Sequence, residues 1–367
     1  MKLPFFVKAA LILVGFFVLF TVLDIGQNII VPLLFAIVIA IALHPLVQFL
    51  VRKKFNRVIA IILTLAVTFF VLAALGYLLV SQGIRFGESW PVFSEKFDAF
   101  LDQSITAASQ YFDINPQKIH TWITKATGEI INVSAAAIGQ TIVIVSSALV
   151  IIFLIPVYVF LLLFYEPIIL EFIRRLFAPD SQSQVGEIVT RTKSVVQSYI
   201  IGLVIEAALV SALNATALYI LGIDYALLIG VIGGLLNVIP YIGGVIAVAL
   251  PMMMALATKP SAWYALYVLA AYYFIQLVDN NYIVPKIVAS KVKINALFAI
   301  VVVIAGNALW GVPGMFLSLP LLAIVKVICD HVESLKPWGL LLGDTMPPLL
   351  KIKIKLKSGI KPKASSP

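Results

Sequence analysis

From Val58 to Gln82 the chain carries no charged side chain. A helix of about 20 apolar residues spans the ~30 Å hydrocarbon core of a bilayer. Inside lipid, a helix also satisfies every backbone donor and acceptor within its own segment. Comparable runs predict further spans near residues 8–24, 28–50, 136–165, 196–222 and 261–280. Hydrophobic residues make up 62% of the 367 and charged ones 12%, against roughly a quarter charged in a soluble domain. The expected fold is an all-α polytopic membrane protein of about six full transmembrane helices. Two further apolar units are interrupted, giving about eight in all.

Charge sets the expected orientation. The segment Arg52-Lys53-Lys54-Phe55-Asn56-Arg57 is a dense basic loop between two spans, and an excess of Lys and Arg marks the cytoplasmic side. Lys2 and Lys8 precede the run AALILVGFFVLFTVL, with no small-residue cleavage site after it, so the N-terminus reads as an uncleaved first span with a cytoplasmic start. A tight turn through Gly26 joins it to the second span. Although the net charge is +9, the basic residues cluster between apolar runs rather than over a soluble face, so no nucleic-acid partner is expected. The lone Cys329 excludes an intrachain disulfide and any cysteine-rich metal site.

The chain divides into N-terminal transmembrane helices (1–82), extracytoplasmic amphipathic helices (83–135), and a transmembrane helix with a cytoplasmic amphipathic helix (136–195). A transport core with broken helices (196–336) and a basic cytoplasmic tail (337–367) complete it. Phe93, Phe97, Phe100, Leu101, Ile105, Ala108 and Phe112 recur at helical spacing. Asn115 and Pro116 have the cap and first-turn chemistry of a second helix start, and His120 stands isolated. Past Pro156, the polar ground of Glu171, Arg174, Arg175, Arg191 and Lys193 reads as cytoplasmic. Ser181 is placed to cap a helix striped by Val185, Ile188, Val189, Val195 and Tyr199. Within the following span, Glu206 and Asn214 are eight positions apart and able to share a helix face. A carboxyl in hydrocarbon costs on the order of 2.5 kcal/mol or more, so Glu206 either faces a cavity or partner or lies near the interface.

The stretch Gly230 to Gly244, GVIGGLLNVIPYIGG, is apolar enough for membrane depth but too rich in glycine and proline for one continuous helix. A second break is expected at Gly306-Asn307-Ala308-Leu309-Trp310-Gly311-Val312-Pro313-Gly314. Freed backbone groups survive in lipid only where protein or a water-filled cavity surrounds them, and transporters place such breaks at their binding sites. If both broken units cross the membrane, Lys286, Lys291 and Lys293 lie outside. If both fold back as re-entrant hairpins, these lysines and the tail lysines, Lys351 to Lys363, join Arg52 to Arg57 inside. The hairpin arrangement obeys the charge rule throughout.

The string Asn237-Val238-Ile239-Pro240-Tyr241-Ile242-Gly243-Gly244 carries a resemblance, together with Asp279-Asn280, Pro285-Lys286-Ile287, Gly306, Gly311, Pro313-Gly314 and Pro320. The chain resembles the autoinducer-2 exporter family of bacterial permeases in layout over nearly its whole length, with the specific motifs between about 190 and 335. The resemblance implies a multi-pass permease of the bacterial inner membrane, homo-oligomeric, exporting a quorum-sensing furanone or, in some members, exchanging sodium for protons. Gly244 stands where the family often has Pro, and Val288-Ala289-Ser290 lacks a common glycine. These departures leave the substrate open.

For a small polar solute, Asn237, Tyr241, Asn280 and Asn307 offer amides and a hydroxyl. For a monovalent cation, Asp279 and Glu206 supply charge. Gly233, Gly234, Pro240, Gly243, Gly244, Pro285, Gly306, Gly311, Pro313 and Gly314 are expected to shape the helix breaks. The asparagines would serve equally as helix caps, and Asp279 as a cap or a salt-bridge partner of Lys286. A channel or a scaffold remains an alternative to a secondary transporter. The chain carries no phosphate-binding Gly-Lys-Ser/Thr loop, HExxH pair or GxSxG elbow, so no enzyme, cofactor or metal is expected. Membrane lipids are the remaining partner.

Overall fold

A computed structural model describes residues 4–112, 153–239, 243–288 and 294–344. The described elements are α1 (Phe5–Ile25), α2 (Gln27–Arg52), α3 (Arg57–Phe112), α4 (Phe153–Arg175), α5 (Gln182–Ile220), α6 (Ala226–Asn237), α7 (Gly243–Thr258), α8 (Trp263–Val278), a π-helical continuation (Asp279–Val288), α9 (Ala296–His331) and α10 (Lys336–Leu342). Six of these helices are long and apolar enough to cross a membrane. The only β pairing among the described residues is a single bridge between Ile294 and Gly343.

Helix α5 is the axis of the bundle, touching α2, α6, α8, the π segment and α9. Apolar clusters hold the helices together. Ala36, Ala60, Ile61 and Val159 join α2, α3 and α4; Val38, Val196 and Leu317 join α2, α5 and α9; Leu218, Ile229, Met254 and Val268 join α5 to α8. By contrast, α1 lies on the outside with its apolar side chains exposed, as expected of a helix facing lipid. Gly26 makes the tight α1–α2 turn, its N–H donating to Val22 O at 2.9 Å.

Polar contacts mark the two ends. At the basic end, Glu166 of α4 gathers His44 of α2, Arg57 of α3 and Lys193 of α5, while Gln184 Nε2 donates to His331 O at 2.6 Å. At the far end, Tyr225 Oη donates to Arg85 O at 3.1 Å, tying the start of α6 to α3. The basic loop after Arg52 thus lies at the same end as the C-terminus of α4, the N-terminus of α5 and the C-terminus of α9.

Both interrupted units fold back as hairpins, from opposite ends. Helix α6 has 12 residues and α7 has 16, lengths of about 18 and 24 Å, short of a bilayer core. A Cβ at Gly222 would lie 3.3 Å from Lys259 Nζ, so both feet of the α6–α7 hairpin stand at the far end. Helix α9 turns at Gly311, whose φ of +64° suits glycine. Its two arms run antiparallel: Ser318 Oγ lies 2.8 Å from Val302 O on the opposite arm and 2.6 Å from Gly314 O on its own. The α9 hairpin stands on the basic end, where Asn295 N donates to Leu342 O at 2.9 Å. Its tip reaches toward the far end of α1, where Trp310 Nε1 donates to Leu23 O at 3.1 Å.

Several local expectations need revision. Residues 83–112 form no separate helix but continue α3, which runs for 56 residues; Pro91 is accommodated without a break. Phe97 packs with Phe86 against the α5–α8 cluster and Ile105 is buried. The side chains of Phe93, Leu101, Ala108 and Phe112 lie outside the described residues, as do Asn115, Pro116 and His120. The fourth span reaches Arg175 rather than ending at 165, and its part before Phe153 also lies outside the described residues. The amphipathic helix expected before the fifth span is the first third of α5, in one piece with it. Ser181 occupies the cap position, yet its side chain makes no cap bond, because the 3₁₀ turn Pro179–Ser181 leads directly into the helix. The sixth span winds on past Asp279 as a π-helix. Pro285, which lacks an N–H and crowds the preceding turn of a tighter helix, sits in that wider winding.

The α9 hairpin closes on glycine. A Cβ at Gly314 would come within 1.9 Å of Gly306 O, and one at Gly306 within 2.5 Å of Gly314 O. Gly314→Val is expected to cost at least the ~1–3 kcal/mol of an overpacked core. It should sharply reduce the monodisperse fraction in detergent size-exclusion chromatography, whereas Gly15→Val on exposed α1, where a Cβ meets nothing within 4 Å, should leave it unchanged.

Candidate functional site

The α6–α7 hairpin ends its first arm on Asn237. The last turn tightens there, with Ile239 N donating to Leu236 O at 2.9 Å. The second arm starts with Gly243, where a Cβ would stand 1.8 Å from Leu236 O. Only glycine permits that approach. Gly230, Gly233 and Gly234 lie inside α6. Cβ atoms at Gly230 and Gly234 would collide with Ala215 and Ser211 of α5, so these two glycines bring the helices into backbone contact. Gly233 and Gly234, expected to break the helix, are therefore packing positions, and the break comes after them at Val238. Likewise Gly306 and Gly314 sit within the two arms of α9, with the break at Gly311 and Pro313 just past the tip, while Pro285 lies in the π segment.

At the tip, Asn237 Nδ2 donates to Asp279 Oδ2 at 2.9 Å and lies 3.4 Å from Glu206 Oε1. One amide from the hairpin thus touches two carboxylates, from α5 and from the start of the π segment. Asp279 is 1% exposed and Glu206 6%. Asp279 Oδ1 has no hydrogen-bond partner among the described residues, and the same holds for Asn214 Oδ1 and Tyr272 Oη. The expected Asp279–Lys286 salt bridge does not form. Lys286 Nζ stands instead over the Tyr282 ring, 4.0 Å from its centroid.

A cavity of about 800 Å³ opens around this contact. Glu206, Asn237, Asp279 and Asn280 line it, together with Gly244 of the hairpin. Tyr199, Tyr272, Tyr273 and Gln276 also line it, and no basic residue does so among the described residues. From sequence, Tyr199 was placed only on the stripe of its helix, and Tyr272, Tyr273 and Gln276 had no role. Gln276 was the one legible signal, an amide inside an aromatic span. Its Oε1 would lie 2.8 Å from a Cβ at Gly244, so α8 and the hairpin meet there closely. Asn307 is not part of this site; it is exposed on the first arm of α9. Pro240 and Tyr241 lie outside the described residues.

Apolar helices interrupted so that polar side chains meet at an internal cavity form the architecture of a membrane transporter. A match to the AI-2E family transporter extends over residues 9–334, and the chain belongs to that family. It is 26% identical to YrrI of Bacillus subtilis (strain 168) over 83% of this chain and 87% of that protein. It is also 26% identical to the AI-2 transport protein TqsA of Escherichia coli (strain K12), over 87% and 90% respectively. YhhT of Escherichia coli (strain K12) matches at 23% over 88% of this chain and 90% of its own length.

Removing the Asn237 amide strips Asp279 of its hydrogen-bond donor and leaves two buried carboxylates facing each other. Asn237→Ala is expected to cost about 1–3 kcal/mol, the penalty for an orphaned buried polar group. It should lower the thermal unfolding midpoint of the purified protein, with transport lost while the chain still inserts into the membrane.

Proposed function

We propose that the chain is a secondary transporter in which the Asp279–Asn237–Glu206 contact couples movement of a small polar solute to a monovalent cation, a proton or sodium. The observation that carries this reading is one amide shared by two buried carboxylates in a cavity lined by no basic residue among those described. Two unit charges ~5 Å apart at an effective dielectric of ~20 repel by about 3 kcal/mol. A bound cation relieves that repulsion. Asn237 belongs to the hairpin tip while Asp279 and Glu206 belong to α8's continuation and α5, so cation loading changes what holds the tip in place. The amides of Asn237, Asn280 and Gln276 and the tyrosine hydroxyls suit a polyhydroxylated solute.

The likeness to the AI-2 transport protein TqsA makes autoinducer-2 the first solute to test. The basic loop Arg52 to Arg57 favours a cytoplasmic position for that end of the bundle, with both termini inside a bacterial inner membrane. The exposed apolar surface of α1 is compatible with lipid contact or with a homo-oligomer. A second reading, sodium–proton exchange without a solute, draws on Asp279 Oδ1, which has no hydrogen-bond partner among the described residues.

Proteoliposomes with an imposed proton or sodium gradient separate these readings. Wild type is expected to move autoinducer-2 in a gradient-dependent way. Asp279→Asn should lose at least about tenfold of that rate, the scale of one lost charge-assisted contact, while Asn307→Ala, outside the cavity, should stay near wild type. Full gradient-driven flux in Asp279→Asn would overturn the coupling role; cation exchange without any furanone flux would favour the exchanger.

A further inference from the structure

A second internal space lies at the basic end, away from the Asp279 contact. An apolar chamber of about 750 Å³ is bounded by α2, α4, α5 and α9, with Ile41, Leu162, Ile173, Ile188 and Ile324 among its walls. It adjoins a polar chamber of about 300 Å³ between α2, α4 and α5. The two share His44, Leu170, Val189 and Lys193. Arg174, Ser194 and Gln197 also line the polar chamber, and no acid lines it among the described residues.

The charges in this region do not balance. Glu166 binds Lys193, Arg57 and His44 together, so one carboxylate answers at least two cations. Arg174 forms no ion pair among the described residues. Its guanidinium lies beside Gly186 of α5, where a Cβ would stand 3.8 Å from Nε, and both residues line the polar chamber. Two acids line the apolar chamber, Glu166, already bound to Lys193, Arg57 and His44, and Glu333, paired with Lys336. A small polar solute would find few partners in the apolar chamber. A hydrocarbon chain would fill it, and its size falls within the roughly 300–1,000 Å³ of ligand cavities.

We propose that the two chambers together hold one anionic glycerophospholipid, an acyl chain in the apolar chamber and the phosphate against Arg174, Lys193 and Ser194. The charge complementarity is direct: surplus cations face an anionic head group at the end of the bundle where Arg52 to Arg57 stand. Basic pockets between transmembrane helices at the cytoplasmic face suit anionic lipid heads. Because its walls come from α2, α4, α5 and α9, the lipid joins the frame helices to the foot of the α9 hairpin.

Native mass spectrometry of the full chain in detergent, titrated with palmitoyl-oleoyl phosphatidylglycerol, phosphatidylcholine or inorganic phosphate, tests this. The expected result is one phosphatidylglycerol retained per chain, phosphatidylcholine bound at least tenfold more weakly, and no displacement by millimolar phosphate. Arg174→Gln, an exposed position with little bearing on folding, should weaken phosphatidylglycerol about tenfold, as one lost charge-assisted contact does. Val189→Trp, which fills the junction of the chambers, should abolish retention. Equal retention of the two lipids, displacement by phosphate, or unchanged phosphatidylglycerol binding in Arg174→Gln would overturn the proposal; if Val189→Trp does not fold, Arg174→Gln alone decides. Because the readout is binding rather than flux, it stands apart from the cation-coupling test.

Discussion

A backbone N–H or C=O left unpaired in hydrocarbon costs several kcal/mol, and the architecture depends on where this chain leaves such groups. The breaks after Asn237 and at Gly311 interrupt the ladders of α6–α7 and α9. Neither break can face lipid, so the surrounding helices must enclose both. Helix α5 fulfils this for the first, lying against α6 along its length through Gly230 and Gly234. The α9 tip is enclosed on one side by α1, which supplies the Leu23 carbonyl to Trp310. The outcome is a bundle whose most polar interior point, the Asp279–Asn237–Glu206 contact, is also the point where a helix ends.

That coincidence gives the site its logic. A side chain in the middle of a helix is held by turns on both sides, whereas Asn237 is the last residue of α6. Its partners sit inside longer windings, Glu206 within the 39-residue α5 and Asp279 at the junction of α8 with the π segment. Polar bonds between a helix end and carboxylates on two other elements are the kind of contact whose occupancy and position are linked thermodynamically.

The spans were legible because an uncharged run of bilayer length has few other uses, and the two hairpins because Gly-Pro clusters interrupt such runs. Glu206, Asn237 and Asp279 could be singled out one at a time, since a carboxylate or amide at that depth needs a reason. Their convergence on one hydrogen-bonded contact could not, because it depends on α5, α6 and α8 packing across long sequence separations. The same limit explains Gly233 and Gly234: glycine's freedom suggested a break, while its lack of a Cβ was used for close packing against α5. Asn307 looked equivalent to Asn237, yet faces outward on its arm. The continuation of α3 beyond residue 82 was hidden because the apolar run ends there and charge returns at Arg85, which marks the end of a span but not the end of a helix.

The exposed position of α1 has a mechanical corollary. Twenty-one residues give it a length of about 31 Å, close to the hydrocarbon thickness of a bilayer. With so little protein around it, its tilt answers to the thickness of that bilayer and to its neighbours α2 and α9. The Trp310–Leu23 bond fastens its upper end to the tip of the α9 hairpin. Bilayer thickness and the position of that tip are therefore joined through a single rigid strut.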